Sequence, residues 1–512
     1  MKNYILTKTL INSGLQCEKR LWFDFHDPID EDSALFHIGN RFTKEVRKNY
    51  GEGVDLTENN PELALSETAK FIKNENAKVI YEGAFVYSET LVRADVLIKK
   101  NDSWELLEAK SSKEPKDEHI DDIAIQSYII KSSKKIKISK VKLIHINGEF
   151  TYQGDNDYSD LISDECELSD KILSREKLVQ TYIDKFKPIA DEKYPKPKIE
   201  TGDHCLEPYK CIYFERCNSL KQSSNITPIS TLPFVGKKLE KKYKAEGIID
   251  LKDIPFAELN PSQRFIQKAH KENKPNINPE VGKIFKEFKW PFYFMDFETV
   301  QQGVPIIKGT QPYYQLPFQW SVHKWNSPTT KISDGMSFLD FSDQNIERKF
   351  IESLLDAVGD KGTVFTHHAS TEIKVLEKLK DKESCKDLSE KIDNLIARVV
   401  DTLNIVKNNF YAPVMNGKYS LKIIMKAIPS DISYEEKDNI ADGMEAQLAW
   451  FTYTDPKTSN DDKEKQIKLL KAYCAKDTLA IYYLIKHLLE QSKAIETLVN
   501  KKNKILNKDL SF

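Results

Sequence analysis

Apolar residues fall into three short runs between residues 79 and 112. They are Val79-Ile80-Tyr81-Glu82-Gly83-Ala84-Phe85-Val86-Tyr87, Leu91-Val92-Arg93-Ala94-Asp95-Val96-Leu97-Ile98 and Trp104-Glu105-Leu106-Leu107-Glu108-Ala109-Lys110. Rich in β-branched and aromatic residues and separated by polar turns, they predict a strand meander. Ile120, Ile123, Ala124 and Ile130 then recur at helical spacing, so a helix carrying Gln126 should cover the sheet. Near residue 290 the pattern changes. Phe292-Tyr293-Phe294-Met295-Asp296-Phe297-Glu298-Thr299-Val300 predicts an aromatic-rich strand, and Gln319–Trp325 a second. Residues 363–376 read as a short strand running into a helix, with Glu372 in the helix's first turn. Residues 469–481 are strongly helical. The chain is therefore expected to be an α/β multidomain protein.

Each region places carboxylates on one face. Glu108 and Lys110 are two apart on a strand and share a face, with Asp95 on the strand before them. Asp296 and Glu298 do the same on the later strand, where two buried like charges are costly unless cations neutralise them. Tyr473 and Asp477 are four apart and share a helix face. Carboxylate oxygens suit Mg2+ or Mn2+, and a neighbouring lysine can hold water or offset charge building on a phosphoryl group.

Composition narrows the picture. The chain has 512 residues, enough for two to four domains of about 150 residues each. Lys and Arg number 77 against 79 Asp and Glu, a formal net charge of -2, which excludes a basic coat over the whole protein but not a local one. Over 221–290, 13 Lys and one Arg stand against eight acidic residues. Here Gly236, then Lys237, Lys238 and Lys241, resemble a degenerate helix-hairpin-helix that would offer lysines and backbone N–H groups to nucleic-acid phosphates. A plain basic helical linker is the other reading. No apolar stretch reaches the roughly 20 residues of a membrane helix, and the first residues lack the apolar run of a signal peptide. The expected compartment is the cytoplasm, with no membrane partner.

Seven cysteines are too sparse for a disulfide scaffold. Cys205, Cys211 and Cys217 follow C-x5-C-x5-C spacing, and Cys17 could complete four ligands from the start of the chain. Iron–sulfur and zinc versions both fit four such positions, with His204 able to replace a cysteine for zinc.

Asp95, Glu108-x-Lys110 and Gln126, bracketed by Cys17 and the three late cysteines, resemble the RecB-type PD-(D/E)xK nucleases with an iron–sulfur staple. These include the CRISPR-associated RecB-like exonucleases and AddB. The resemblance covers about residues 1–220. It implies a restriction-endonuclease-like fold, Asp95 and Glu108 as Mg2+ or Mn2+ ligands, Lys110 and Gln126 as catalytic, and a [4Fe–4S] cluster on Cys17, Cys205, Cys211 and Cys217. Zn2+ is the alternative at the cysteines. His37, before Gly39 rather than after it, stands near the place of that family's metal-binding histidine.

Asp296-x-Glu298, Glu372 and Tyr473-x3-Asp477 resemble the DnaQ-type 3′→5′ exonucleases, the RNase H-like DEDD enzymes of the tyrosine subclass. This covers about 288–493. It implies that Asp296, Glu298, Glu372 and Asp477 bind two metal ions and that Tyr473 orients the attacking water. Glu372 stands where that family has Asp, with Asp401 the alternative. The order of the two halves is similar to a bacterial family that fuses an iron–sulfur RecB-like nuclease to a DnaQ-like domain.

The expected organisation is a nuclease domain at 1–220, a basic helical linker at 221–287, an exonuclease domain at 288–493 and a basic tail at 494–512. The expected activity is metal-dependent cleavage of single-stranded DNA or DNA ends, in repair, end processing or defence. An RNA-directed exonuclease, or a nucleic-acid-binding scaffold with one or both sites inactive, is the alternative.

Overall fold

The computed structural model describes residues 4–29, 33–74, 78–163, 168–219, 226–342, 345–434, 440 and 442–493. The tail expected at 494–512, the first residues of the expected linker and Cys166 lie outside them. The chain is a mixed α/β protein of two units. One comprises Met1–Ser224 with Gln301–Tyr314, the other Asn225–Val300 with Gln315–Phe512.

In the first unit the meander forms as its pattern requires. Strands Val79–Tyr87, Thr90–Lys100 and Ser103–Lys110 pair antiparallel, and Ile138–His145 adds in parallel beyond them. The dipeptide strand Leu6–Thr7 pairs in parallel with Thr90–Leu91. Both faces of the sheet are covered, so its strands are apolar on both sides. Leu97 and Leu106 join one core with Ile123 and Ile183, from helices Asp117–Ser132 and Ser169–Phe186. Val96 and Leu107 join a second with Phe42 and Val46 of helix Ala34–Tyr50.

The second unit holds a five-stranded sheet. Its order is Met336–Leu339, Gln315–Trp325, Phe292–Gln301, Thr363–Thr366, Val399–Asp401. Numbered along the chain this is 3-2-1-4-5. The first two strands in this list pair antiparallel, and Thr363–Thr366 is parallel to both its neighbours. Gly362, at φ +95°, makes the close approach possible, because a Cβ there would meet the Pro291 carbonyl oxygen at 2.2 Å. Strand alternation divides the core. Tyr293, Met295 and Phe297 pack with Phe350 and Leu354 on one face. Phe292 and Phe294 pack with Phe365 and the Ala480–Leu489 part of the long helix Asn460–Gln491 on the other. Asp296 and Glu298 continue that second face toward the strand's end.

Residues 226–287 do not behave as a free linker. Ile229, Leu232, Tyr243, Leu251 and Ile266 are buried in the second unit's main core. The short helix Lys237–Ala245 inside this stretch exposes Lys238 and Lys241; Lys237 opens it, with its side chain outside the described set. Apolar residues spaced among the lysines carry the packing, which a charge count over the segment does not register. Among the described residues no helix is long and apolar enough to cross a membrane.

Candidate functional site

In the first unit, five side chains expected or unexpected from the sequence meet around Glu108. Its carboxylate accepts from Gln126 Nε2 at 2.6 Å, Lys110 Nζ at 2.7 Å and Lys8 Nζ at 3.1 Å. Asp122, one turn before Gln126, accepts from Lys8 at 3.2 Å, from Asn12 at 2.9 Å and also from Lys110. Asp95 accepts from the Ala109 N–H at 2.8 Å. Burial and then Asp95 push Glu108 up to about 7, against Lys110 and Lys8. Burial would lower Lys8, but Asp122 and Glu108 outweigh it and raise it above its ordinary value. Burial would raise Asp122, but Lys110 and Lys8 hold it well below the usual carboxylate range. The negative charge of this site is thus met by two ammonium groups. Lys110 and Asp122 line an open cleft of about 1130 Å³ whose other walls include Lys116, His119, Glu207 and Tyr209.

His37 lies in the first turn of helix Ala34–Tyr50, its ring edge-on to Phe36 at 6.2 Å. Among the described residues no metal-ligand group unites it with Asp95 and Glu108.

Cys17, Cys205, Cys211 and Cys217 line one small cavity of about 20 Å³ with His204, Arg20 and Phe23, and all four are free thiols. Packing between the two ends of the unit brings them together. Tyr213 stacks on Phe23 at 4.8 Å and donates to Asp24 at 2.7 Å. Gln16 donates to the carbonyl oxygens of Glu207 and Tyr209 at 3.2 and 2.7 Å. No three of these sulfurs fall within 4.8 Å of one another. Four thiols around one cavity, with His204 beside them, suit either the iron–sulfur or the zinc version.

The second unit builds a different electrostatic site. Asp296 and Glu298 come from the central strand, Glu372 from the first turn of helix Ser370–Asp381, and Tyr473 and Asp477 from one face of helix Asn460–Gln491. Tyr434 donates to Asp477 at 2.5 Å, and Tyr473 bonds the same carboxylate. The charges acting on Asp296 are Asp477, Glu298 and Glu372; those on Glu298 are Asp477, Glu372 and Asp442. All are negative. Burial and then this mutual repulsion drive both carboxyls well above their ordinary range. Burial raises Glu372 to about 8 and Asp477 to about 6. Glu372 Oε2 is buried with no hydrogen-bond partner. Four carboxylates gathered in this way, with Lys476 acting as counter-charge on Asp477 alone, suit a divalent cation as donors.

Asp401 plays another part. It caps helix Thr402–Asn409 through Leu403 N–H at 2.9 Å and accepts the His368 N–H at 3.1 Å.

Several residues at these sites carry no sequence signal of their own. Lys8 and Asp122 are two charged residues in a chain rich in both signs. Tyr434 reaches Asp477 across 43 positions. Cys474 sits beside Tyr473, its Sγ 3.6 Å from Asp296 Oδ2. Its helix position, three before Asp477, was the one available clue.

Residues 293–420 match the profile of a family described as a domain of unknown function, DUF2779. The match takes in Asp296, Glu298, Glu372 and Asp401 and ends before Tyr473 and Asp477. The chain matches no curated protein.

Proposed function

We propose that the second unit is a metal-dependent 3′→5′ exonuclease of the RNase H-like, DnaQ type, acting on single-stranded DNA or DNA ends. The observation that carries this reading is the buried, mutually repelling cluster of Asp296, Glu298, Glu372 and Asp477 with Tyr473 on its rim. The 3-2-1-4-5 sheet, with Glu372 just past the end of its fourth strand, supports it.

The four carboxylates would hold Mg2+ or Mn2+. When bound, such ions supply an activated water and offset charge on the phosphoryl oxygens and the leaving 3′ oxygen. Tyr473 holds and orients the attacking water through its hydroxyl, which burial keeps protonated far above neutrality. Tyr434 fixes the Asp477 carboxylate in place. Asp296 and Glu298 sit two apart on one face of a single strand, so their separation is rigid.

For the first unit the reading is a PD-(D/E)xK nuclease, with Asp95 and Glu108 as metal ligands, Lys110 facing the scissile phosphate and Gln126 holding Glu108. A [4Fe–4S] cluster on Cys17, Cys205, Cys211 and Cys217 would clip its two ends together. One observation favours a second reading here. Lys8 already occupies Glu108 and Asp122, and His37 is not grouped with the acids, which suits a phosphate-binding site without metal.

The test is degradation of 3′-labelled single-stranded DNA with Mn2+ by Asp296→Ala and Glu108→Ala proteins. Loss in the first alone supports the exonuclease with a binding-only first unit. Loss shared between them supports two nucleases. No effect of either removes the assignment.

A further inference from the structure

The proposed exonuclease chemistry has no use for a sulfur atom, yet Cys474 is buried inside the acidic cluster. Its Sγ lies 3.6 Å from both the Oδ2 and the backbone oxygen of Asp296. One donor atom each from Asp296, Glu298 and Cys474 all fall within 4.8 Å of one another, and among the described residues this is the single group of three or more metal-ligating side chains so placed. Tetrahedral bonds of about 2.0–2.3 Å from a common ion put its donors roughly 3.3–3.8 Å apart. The three need to close by about an ångström to form a coordination shell.

A second, independent observation points to a cation. Glu372 Oε2 is buried without a hydrogen-bond partner, and Glu372 is 4% exposed. Its charge acts on both Asp296 and Glu298; it stands outside the 4.8 Å group and reaches a shared ion by a side-chain rotation.

Mg2+ takes oxygen donors and rejects sulfur, whereas Zn2+ accepts carboxylate and thiolate together. We propose that Asp296, Glu298 and Cys474, with Glu372 as fourth donor, form a mixed carboxylate–thiolate site that takes Zn2+ in place of the hard cations of catalysis. Binding forms a sulfur–metal bond and releases the thiol proton to solvent. Zinc seated there uses three of the carboxylates that the nuclease reading gives to Mg2+ or Mn2+, so it acts as a brake on that site. The braking role rests on the nuclease reading; the binding site does not.

The test uses Co2+ as a coloured stand-in for Zn2+ on the full chain. Wild-type, Cys474→Ser and Asp296→Asn proteins are titrated with Co2+ while the thiolate-to-cobalt charge-transfer band is followed. The wild-type minus Cys474→Ser difference removes any signal from the other cysteines. A difference band that Zn2+ abolishes, and that Asp296→Asn also lacks, is expected. Superimposed wild-type and Cys474→Ser spectra overturn the site. Should Cys474→Ser lose its fold by circular dichroism, Asp296→Asn decides: an undiminished band there overturns it. Mn2+-dependent degradation of DNA by the wild type, measured in parallel, keeps the two claims apart. Degradation without a band sinks the zinc site alone, and a band without degradation sinks the nuclease reading alone.

Discussion

Lys8 Nζ lies 3.1 Å from Oε1 of Glu108, a carboxylate one hundred positions further along the chain. The pairing of Leu6–Thr7 with the strand that bears Asp95 delivers it there. Lys8 also bonds Asp122, so Lys8→Met leaves two buried acids with one ammonium. The expected loss of stability is somewhat below the about 3–5 kcal/mol of a fully buried pair, because the Lys8 side chain keeps 20% exposure. Denaturant unfolding reads the loss. Calorimetric titration of the same variant should show tighter Mn2+ binding in the first unit, since a competing cation has gone. Unchanged values in both would show that Lys8 is a bystander.

Asp477 is held by two tyrosines with different tasks. Tyr434→Phe removes a bond that positions the carboxylate, and should weaken the apparent Mn2+ constant roughly 10–100-fold. Tyr473→Phe removes the water-orienting hydroxyl along with its bond to Asp477, and should lower kcat by about 100-fold or more on top of any weakening of that constant. Steady-state assays across Mn2+ concentration separate the two. Identical phenotypes would contradict the division of roles.

The second site should make stability depend on pH in the direction opposite to that of an ion-paired acid. Burial raises Glu372 from 4.5 to about 8 and Asp477 from 3.8 to about 6. The folded metal-free protein therefore keeps protons that the unfolded chain releases. The stability these groups contribute is highest at the acid end and declines as pH rises from about 3.8 through about 8. Thermal midpoints in EDTA should fall across this window relative to Glu372→Gln, and Mn2+ should restore them by neutralising the ionised acids. Parallel wild-type and Glu372→Gln profiles in EDTA would count against the cluster's electrostatics.

The cysteine cavity shares its loop with the wall of the first cleft, where Glu207 and Tyr209 lie. Cys205→Ser should lose iron and its colour and become more sensitive to limited proteolysis near residues 204–217, while degradation by the second site persists. Stoichiometric zinc in an anaerobically purified, colourless wild type would replace the cluster with a zinc site.

The legible parts of this protein were those written in local spacing. Asp296 with Glu298, and Tyr473 with Asp477, announce a shared face because strand and helix periods fix side-chain direction. Glu108, Lys110 and Gln126 were readable for the same reason, and the structure brings them within hydrogen-bonding distance. Lys8 and Tyr434 reach their sites through long-range packing, which no local period encodes, whereas Asp122 shares the helix face of Gln126 four positions on. The stretch 226–287 looked like a linker because its lysines dominate the count, while its buried Ile229, Leu232 and Tyr243 are what decide its place. An acid after a strand can bind metal or cap a helix, and spacing alone did not show that Asp401 caps one through Leu403 N–H.

The buried acids of the second unit are proposed to hydrolyse DNA from its 3′ end. Single-stranded DNA labelled at its 5′ end is incubated with Mn2+ and resolved on a sequencing gel, in a Glu108→Ala background that silences the first unit. A ladder of stepwise-shortened 5′-labelled products is expected from Glu108→Ala protein, and none once Asp296→Asn or Asp477→Asn is added to it. Immediate release of labelled mononucleotide, or a ladder that persists in both Asp variants, would contradict this proposal.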